Sequence, residues 1–282
     1  MPQTPAAPGS PVLYQRFDRY HRILHGVLMF SFLGLAFTGM PLLFNDAPWA
    51  MRLASLVGGG RAAGILHRVF ASLLIGCFTL HVWRLVYRLY VKKEFEVLWG
   101  PASMTPQPRD AAEMLAHIRW FLRLGPRPRF DHFTYWEKFD YWAVFWGMGI
   151  IGGSGLVLWF PEVFSHLLSG SWFNIALLVH GEEGLLAVGF IFTIHFFNSH
   201  LRPDKFPMDP VIFTGRITEH EMREERPAEF ARLAAARRLD EAEVGPAAPW
   251  VGGLARTVAV IAVSLGLAMV ALILYAVLFA RP

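Results

Sequence analysis

No Asp, Glu, Lys or Arg occurs from Ile23 to Asn45, from Tyr141 to Pro161, or from Thr257 to Ala280. Each run is as long as the roughly 20 apolar residues that carry an α-helix across the hydrocarbon of a bilayer. Composition agrees: 54% of the chain is hydrophobic and only 17% charged, where soluble domains carry about 25% charge. Two more runs hold charges where a membrane tolerates them. Ile65 to Val91 has Arg68 near one end and Arg84 and Arg88 near the other, positions from which a long side chain reaches the interface. Trp172 to Phe197 is interrupted only by Glu182 and Glu183, beside His180. The expectation is an all-α integral membrane bundle. Residues 22–200 hold a four-helix core with spans over about 22–44, 65–91, 139–160 and 172–199, and a fifth C-terminal span covers 251–280.

The first run is longer than the 7–15-residue core of a signal peptide and lacks a small-x-small cleavage site, so it reads as an uncleaved anchor. Cys77 is the single cysteine. One thiol excludes a disulfide framework and the Cys-x-x-Cys-His attachment of covalent haem; it reads as a small buried hydrophobe.

The formal net charge of +4 is informative by position. Of the 26 Lys and Arg, 22 lie before the first run, between Arg84 and Lys138, between Arg202 and Arg238, or at Arg256. By the positive-inside rule the 1–21 tail, the 92–138 loop and the 201–250 segment are cytoplasmic and the C-terminus periplasmic. The basic balance is therefore topology, with no stripe for nucleic acid. In the first loop, Asp110 to Leu124 sets Met114, Leu115, Ile118, Phe121 and Leu122 at helical spacing beside Arg119 and Arg123, the pattern of a helix lying on membrane lipids. Thr218 to Glu243 reads as one charged amphipathic helix. His220-Glu221 lacks the His-Glu-x-x-His of a zinc protease.

Four of the 11 histidines fall in a pattern: His67 and His81 are 14 residues apart in the second span, and His180 and His195 are 15 apart in the fourth. On a helix these separations are about 21 and 22.5 Å along the axis and about 40° and 60° around it. The topology makes both helices run from outside inward, so His67 matches His180 in depth near the outer face and His81 matches His195 near the inner. Facing imidazoles can supply both axial ligands of a haem iron, an arrangement suited to electron transfer. A lone intramembrane histidine reads more simply as a helix-bridging hydrogen bond, but two matched pairs favour haem. The rungs are too far apart to share one non-haem ion, and no Cys or carboxylate completes such a set. Gly184 lies one turn after His180, where a porphyrin needs close approach to backbone. Arg84 and Arg88 are either propionate partners or interfacial anchors. The inner end has a surplus, since His25 resembles His81 and His195 in depth and His21 and His200 lie nearby, slightly further out; the extra residues would ligate a third haem, hydrogen-bond a quinol, or move its protons.

Arg16-Phe17 through His25 to Thr38-Gly39, with Ile65-Leu66-His67 and Leu177-Leu178-Val179-His180, resembles the cytochrome b (gamma) subunit of respiratory formate dehydrogenases and its thiosulfate reductase and nickel hydrogenase relatives. The resemblance covers about residues 16 to 200. It implies a bundle holding two b haems, the outer one on His67 and His180, that passes electrons between a quinone near the cytoplasmic face and a periplasmic partner. It also implies an inner pair of His25 and the residue 14 after His180, but that position is Ile194 and the histidine is His195. One step along a helix turns a side chain by about 100°. With His81 added, the pattern resembles the cytochrome b of quinol to cytochrome c oxidoreductases, where two helices each carry two histidines. The expected inner pair is His81 with His195, with His25 as the rival partner. His195 to Asp209 further resembles cytochrome b subunits paired with multihaem c-type cytochromes in menaquinol-oxidising complexes.

The expected function is that of a membrane-anchoring dihaem b-type cytochrome subunit of a respiratory oxidoreductase in the bacterial inner membrane, rather than a stand-alone enzyme. Its cofactors would be two non-covalent bis-His b haems, its substrate quinone or menaquinone, and its partners iron-sulfur, molybdopterin or multihaem c-type cytochrome subunits. His200, Arg84, Asp204 and His25 are the expected quinone or proton contacts. The competing class is a haem-handling or haem-export membrane protein, which would need only one site.

Overall fold

The computed structural model describes residues 11–203, 205–206 and 208–280. Among them, five helices are long and apolar enough to cross a membrane: Arg19–Leu43, Gly60–Tyr90, Tyr135–Trp159, Gly170–Leu201 and Pro249–Phe279. The protein is an integral membrane helical bundle. The chain divides into two compact units, one of residues 23–80, 144–209 and 254–280, the other of 11–22, 81–143 and 210–253.

The first unit is built from apolar helix. Its core joins Ala36, Met40 and Phe44 of the first span to Val188, Phe192 and Phe196 of the fourth and to Ala262, Met269, Ile273 and Ala276 of the fifth. Lipid is as apolar as leucine, so such helices associate by close packing, and small residues at the crossing permit it. Gly266 is the contact point: a Cβ there would stand 2.8 Å from the rings of Phe192 and Phe196. Among the described residues three helices depart from α geometry, the fifth only at its end, over Ala276–Ala280. The third widens into a π turn over Met148–Gly152, within the run Gly147, Gly149, Gly152, Gly153, Gly155, and the fourth does so over Ile191–His195 and Phe197–Leu201. A π turn accommodates one extra residue and leaves a backbone carbonyl free of its usual helical partner.

The second unit contains a small ribbon that the all-α expectation lacks. Strand β1 (Leu13–Gln15) pairs antiparallel with β2 (Arg216–Thr218), Tyr14 opposite Ile217. Tyr14, Val211, Ile217 and Met222 form its core, with Phe17, Phe230, Leu233 and Leu239 packed on it. The single amphipathic helix expected over Thr218–Glu243 is instead three short helices, Glu219–Glu225, Pro227–Ala235 and Leu239–Ala242. Pro227 has no amide hydrogen and biases Arg226 out of the helical region, and Arg226 sits at φ −128°, ψ 48°. Arg237, at φ 56°, ends the second helix. In the loop, Pro108–Phe121 is helical and begins with a Gln107–Asp110 capping box; its Leu115, Ile118 and Phe121 are exposed.

Ion pairs tie the three stretches of this unit together. Glu137 receives hydrogen bonds from Arg16 (3.2 Å) and Arg226 (2.9 Å), and Asp131 from Arg232 (2.7 Å). Lys138 is 1% exposed and donates to both Asp110 oxygens, at 2.8 and 2.9 Å. His132 pairs with Glu229.

Candidate cofactor site

His67 on the second span and His180 on the fourth face each other with ring centroids 6.1 Å apart and planes at 81°. Their hydrogen bonds fix which nitrogen is available. His180 Nδ1 lies 2.9 Å from the Ile151 carbonyl, which sits in the π turn of the third span. A carbonyl only accepts, so Nδ1 carries the hydrogen and Nε2 keeps its lone pair. His67 Nδ1 is 3.0 Å from Thr38 Oγ1, whose hydroxyl donates to the Gly34 carbonyl at 2.7 Å. The hydroxyl hydrogen being used, His67 Nδ1 is the donor and its Nε2 also keeps the lone pair. An imidazole anchored through one nitrogen with the other free is the usual form of a metal-ligating histidine.

A glycine lies against each ring. A Cβ at Gly39 would stand 2.9 Å from His67 Cε1, and one at Gly155 2.9 Å from His180 Cε1. Only a residue without a side chain lets either imidazole sit where it does.

His195 is brought onto His25: their rings are 6.4 Å apart with planes at 32°. His195 closes the π turn over Ile191–His195. The wider turn absorbs one residue, and this offsets the rotation that a 15-residue rather than 14-residue step from His180 would impose on a regular helix.

His81, the expected partner of His195, is held by two phenols. Its Nε2 is 2.8 Å from Tyr141 Oη and its Nδ1 3.2 Å from Tyr20 Oη, with the ring stacked on Tyr20. It is 8% exposed. Both ring nitrogens are thus engaged, one as donor and one as acceptor in the neutral form.

The remaining expected residues are dispersed. The Arg84 guanidinium lies 4.0 Å from the centre of the Tyr20 ring, Arg88 pairs with Glu94 at 2.6 Å, and the His200 ring meets Phe196 at 5.0 Å. His21 is taken by Asp18, Nδ1 to Oδ1 2.7 Å, and Glu183 accepts from the Trp146 indole at 3.3 Å. Asp204 lies outside the described residues. Gly184 touches no ring: a Cβ there would meet nothing within 4 Å. Sequence reasoning missed Thr38, Gly39, Ile151 and Gly155 as supports. Thr38-Gly39 was visible as a motif, whereas Tyr20 and Tyr141, 61 and 60 residues from His81, left no local signal.

Two metal–imidazole bonds of about 2 Å, with about 1 Å more from each nitrogen to its ring centre, put two trans imidazoles about 6 Å apart between centres. The His67–His180 and His25–His195 pairs meet that distance, and the donor set is the bis-imidazole one that a b-type haem takes. Residues 16–199, which hold all four of these histidines, match the family model described as prokaryotic cytochrome b561. No curated protein matches the chain.

Proposed function

The chain belongs to the prokaryotic cytochrome b561 family and is a membrane haem b electron-transfer protein; from that premise we propose that it is the dihaem membrane anchor of a respiratory oxidoreductase. It carries electrons across the bilayer between the quinone pool, menaquinol included, and an iron-sulfur, molybdopterin or multihaem c-type cytochrome partner. The observation that carries this reading is the presence of two separate histidine pairs at bis-imidazole distance, 6.1 and 6.4 Å between ring centres.

Haem b bound at these pairs supplies one-electron chemistry over a potential range set by its ligands and surroundings. His67 and His180 would hold the outer group and His25 and His195 the inner one. Thr38 and the Ile151 carbonyl keep the outer imidazoles in the ligating tautomer, and Gly39 and Gly155 leave room for the rings. The basic residues before the first span and after the second and fourth support a cytoplasmic N-terminus and a periplasmic C-terminus in a bacterial inner membrane.

Oxidising a quinol releases two protons with its two electrons, so the quinone-reacting end needs a group that accepts protons. His81 suits that role better than iron ligation, because its two nitrogens are hydrogen-bonded to two phenols, one as donor and one as acceptor. A proton taken up through one tyrosine would be matched by one released to the other, with Arg84 over the Tyr20 ring.

An optical redox titration of the purified protein tests the reading. Two b-type components are expected, both reduced by a menaquinol analogue. A single component overturns the two-site assignment.

A further inference from the structure

A cavity of about 160 Å³ opens in the ribbon-bearing unit, its wall including Asp18, Arg19, Arg22, Gly215 and Arg216. Three arginines and one acid share it. The acid is already engaged: Asp18 Oδ1 accepts from the His21 amide at 2.8 Å and from the His21 ring at 2.7 Å. Three arginines against one carboxylate leave the wall with a formal charge of +2. Arg22 Nε is buried and has no hydrogen-bond partner among the described residues.

The cavity is shaped by the backbone. Gly215 sits at φ +74°, and a Cβ there would stand 2.5 Å from the Phe17 carbonyl and 2.9 Å from Arg22 Cδ. Its carbonyl accepts from the Arg16 amide at 2.8 Å and the Phe17 amide at 3.2 Å, which fixes the turn against the chain entering the first span. Arg216 is held in place by the carbonyls of Gly245 and Thr214. Burial, and then the charges of Arg22 and Arg19, push the Arg216 guanidinium below its ordinary value. Like charges gathered in a partly desolvated recess repel one another, and an anion offsets that cost.

We propose that this cavity binds the phosphodiester of an anionic phospholipid at the entry to the first span. Guanidinium forks match phosphate oxygens two at a time. Arg19 and Arg22 stand in the first turn of Arg19–Leu43, the level at which a membrane-crossing helix meets lipid headgroups. Two excess positive charges select a net anionic headgroup over one that carries its own cation.

The test uses the intact protein, delipidated in an uncharged detergent. It is titrated with short-chain phosphatidylglycerol, short-chain phosphatidylcholine and inorganic phosphate. Thermal midpoint and native mass spectrometry of bound lipid are the readouts. Phosphatidylglycerol is expected to bind saturably at one per chain and to raise the midpoint, with phosphatidylcholine much weaker. R19Q and R22Q should each weaken binding by about tenfold, the loss of one charge-assisted hydrogen bond. Both should keep the wild-type helix content and haem spectrum, which separates lost binding from lost folding. Inorganic phosphate that binds as tightly and displaces the lipid assigns the cavity to free phosphate and overturns the lipid. Equal binding of the two lipids, no saturable response, or unchanged affinity in both variants overturns the site.

Discussion

His25 and His195, 170 residues apart in the chain, face each other at 6.4 Å between ring centres, and the π turn over Ile191–His195 brings the second to the first. His81 meanwhile donates and accepts within a pair of tyrosines. The two environments differ although the residues look alike in the sequence.

The assignment separates by substitution. His25→Ala is expected to remove one of the two b components in a redox titration. His81→Phe should keep both and slow menaquinol oxidation by about 100-fold or more, the range lost with a proton-transfer group. The opposite pattern, with a component lost on changing His81 and none on changing His25, would restore His81 as the inner ligand. His67→Ala serves as the control at the other pair and is expected to remove the other component.

The glycines against the His67 and His180 rings give a packing prediction. Gly39→Ala and Gly155→Ala each place a Cβ 2.9 Å from an imidazole carbon, and displacing a packed ring costs about 1–3 kcal/mol. Haem per chain, measured by pyridine haemochrome, is expected to fall toward one. Gly76→Ala, whose Cβ meets nothing within 4 Å, should leave it at two. Full loading of both ring-facing variants would show that these contacts do not constrain the ligands.

The Lys138–Asp110 pair is deeply buried, with the lysine side chain 1% exposed. Lys138→Met strands a carboxylate and should cost about 3–5 kcal/mol, read as a lowered thermal midpoint. Adding Asp110→Leu removes the stranded charge and should restore most of the loss. Recovery stays incomplete, because Asp110 also accepts from the Gln107 amide at 2.6 Å as part of the helix cap. A double variant no more stable than Lys138→Met would contradict this account.

Stability of the ribbon-bearing unit should depend on pH with a defined sign. Burial pushes the His132 imidazole below its ordinary 6.5, with the Arg16 charge adding to it and Glu229 opposing. Burial raises the Asp131 and Glu229 carboxyls, but hydrogen bonds from Arg232 and His132 respectively outweigh it and hold both below their ordinary 3.8 and 4.5. In all three cases the unfolded chain binds protons more readily, so stability is full above pH 6.5 and falls as pH drops. Urea midpoints should decline from about pH 6.5 downward through His132, and more steeply below about 4.5 through the carboxylates. His132→Gln should flatten the upper part of that decline. Midpoints that rise on acidification would refute the sign.

Much of the architecture could be read in one dimension. Charge-free runs mark spans because a bilayer penalises charge at each residue independently of what the rest of the chain does. The His67–His180 pair was legible for the same reason, being set by depth along two helices. Its supports were less so: Thr38 and Gly39 could be found by motif, while the Ile151 carbonyl becomes an acceptor only because the third span widens there. The three-residue strands β1 and β2 are too short to show alternation and pair residues about 200 positions apart, and the break at Arg226–Pro227 was missed although proline marked it.

The sequence by itself determined a membrane bundle, the number of its spans and where along them its histidines fall, because hydropathy and helical rise act locally. Only the tertiary structure decided which imidazole His195 meets and that both nitrogens of His81 go to phenols. A single π turn rotates everything beyond it, and hydrogen-bond partners 60 residues away are chosen by packing between helices.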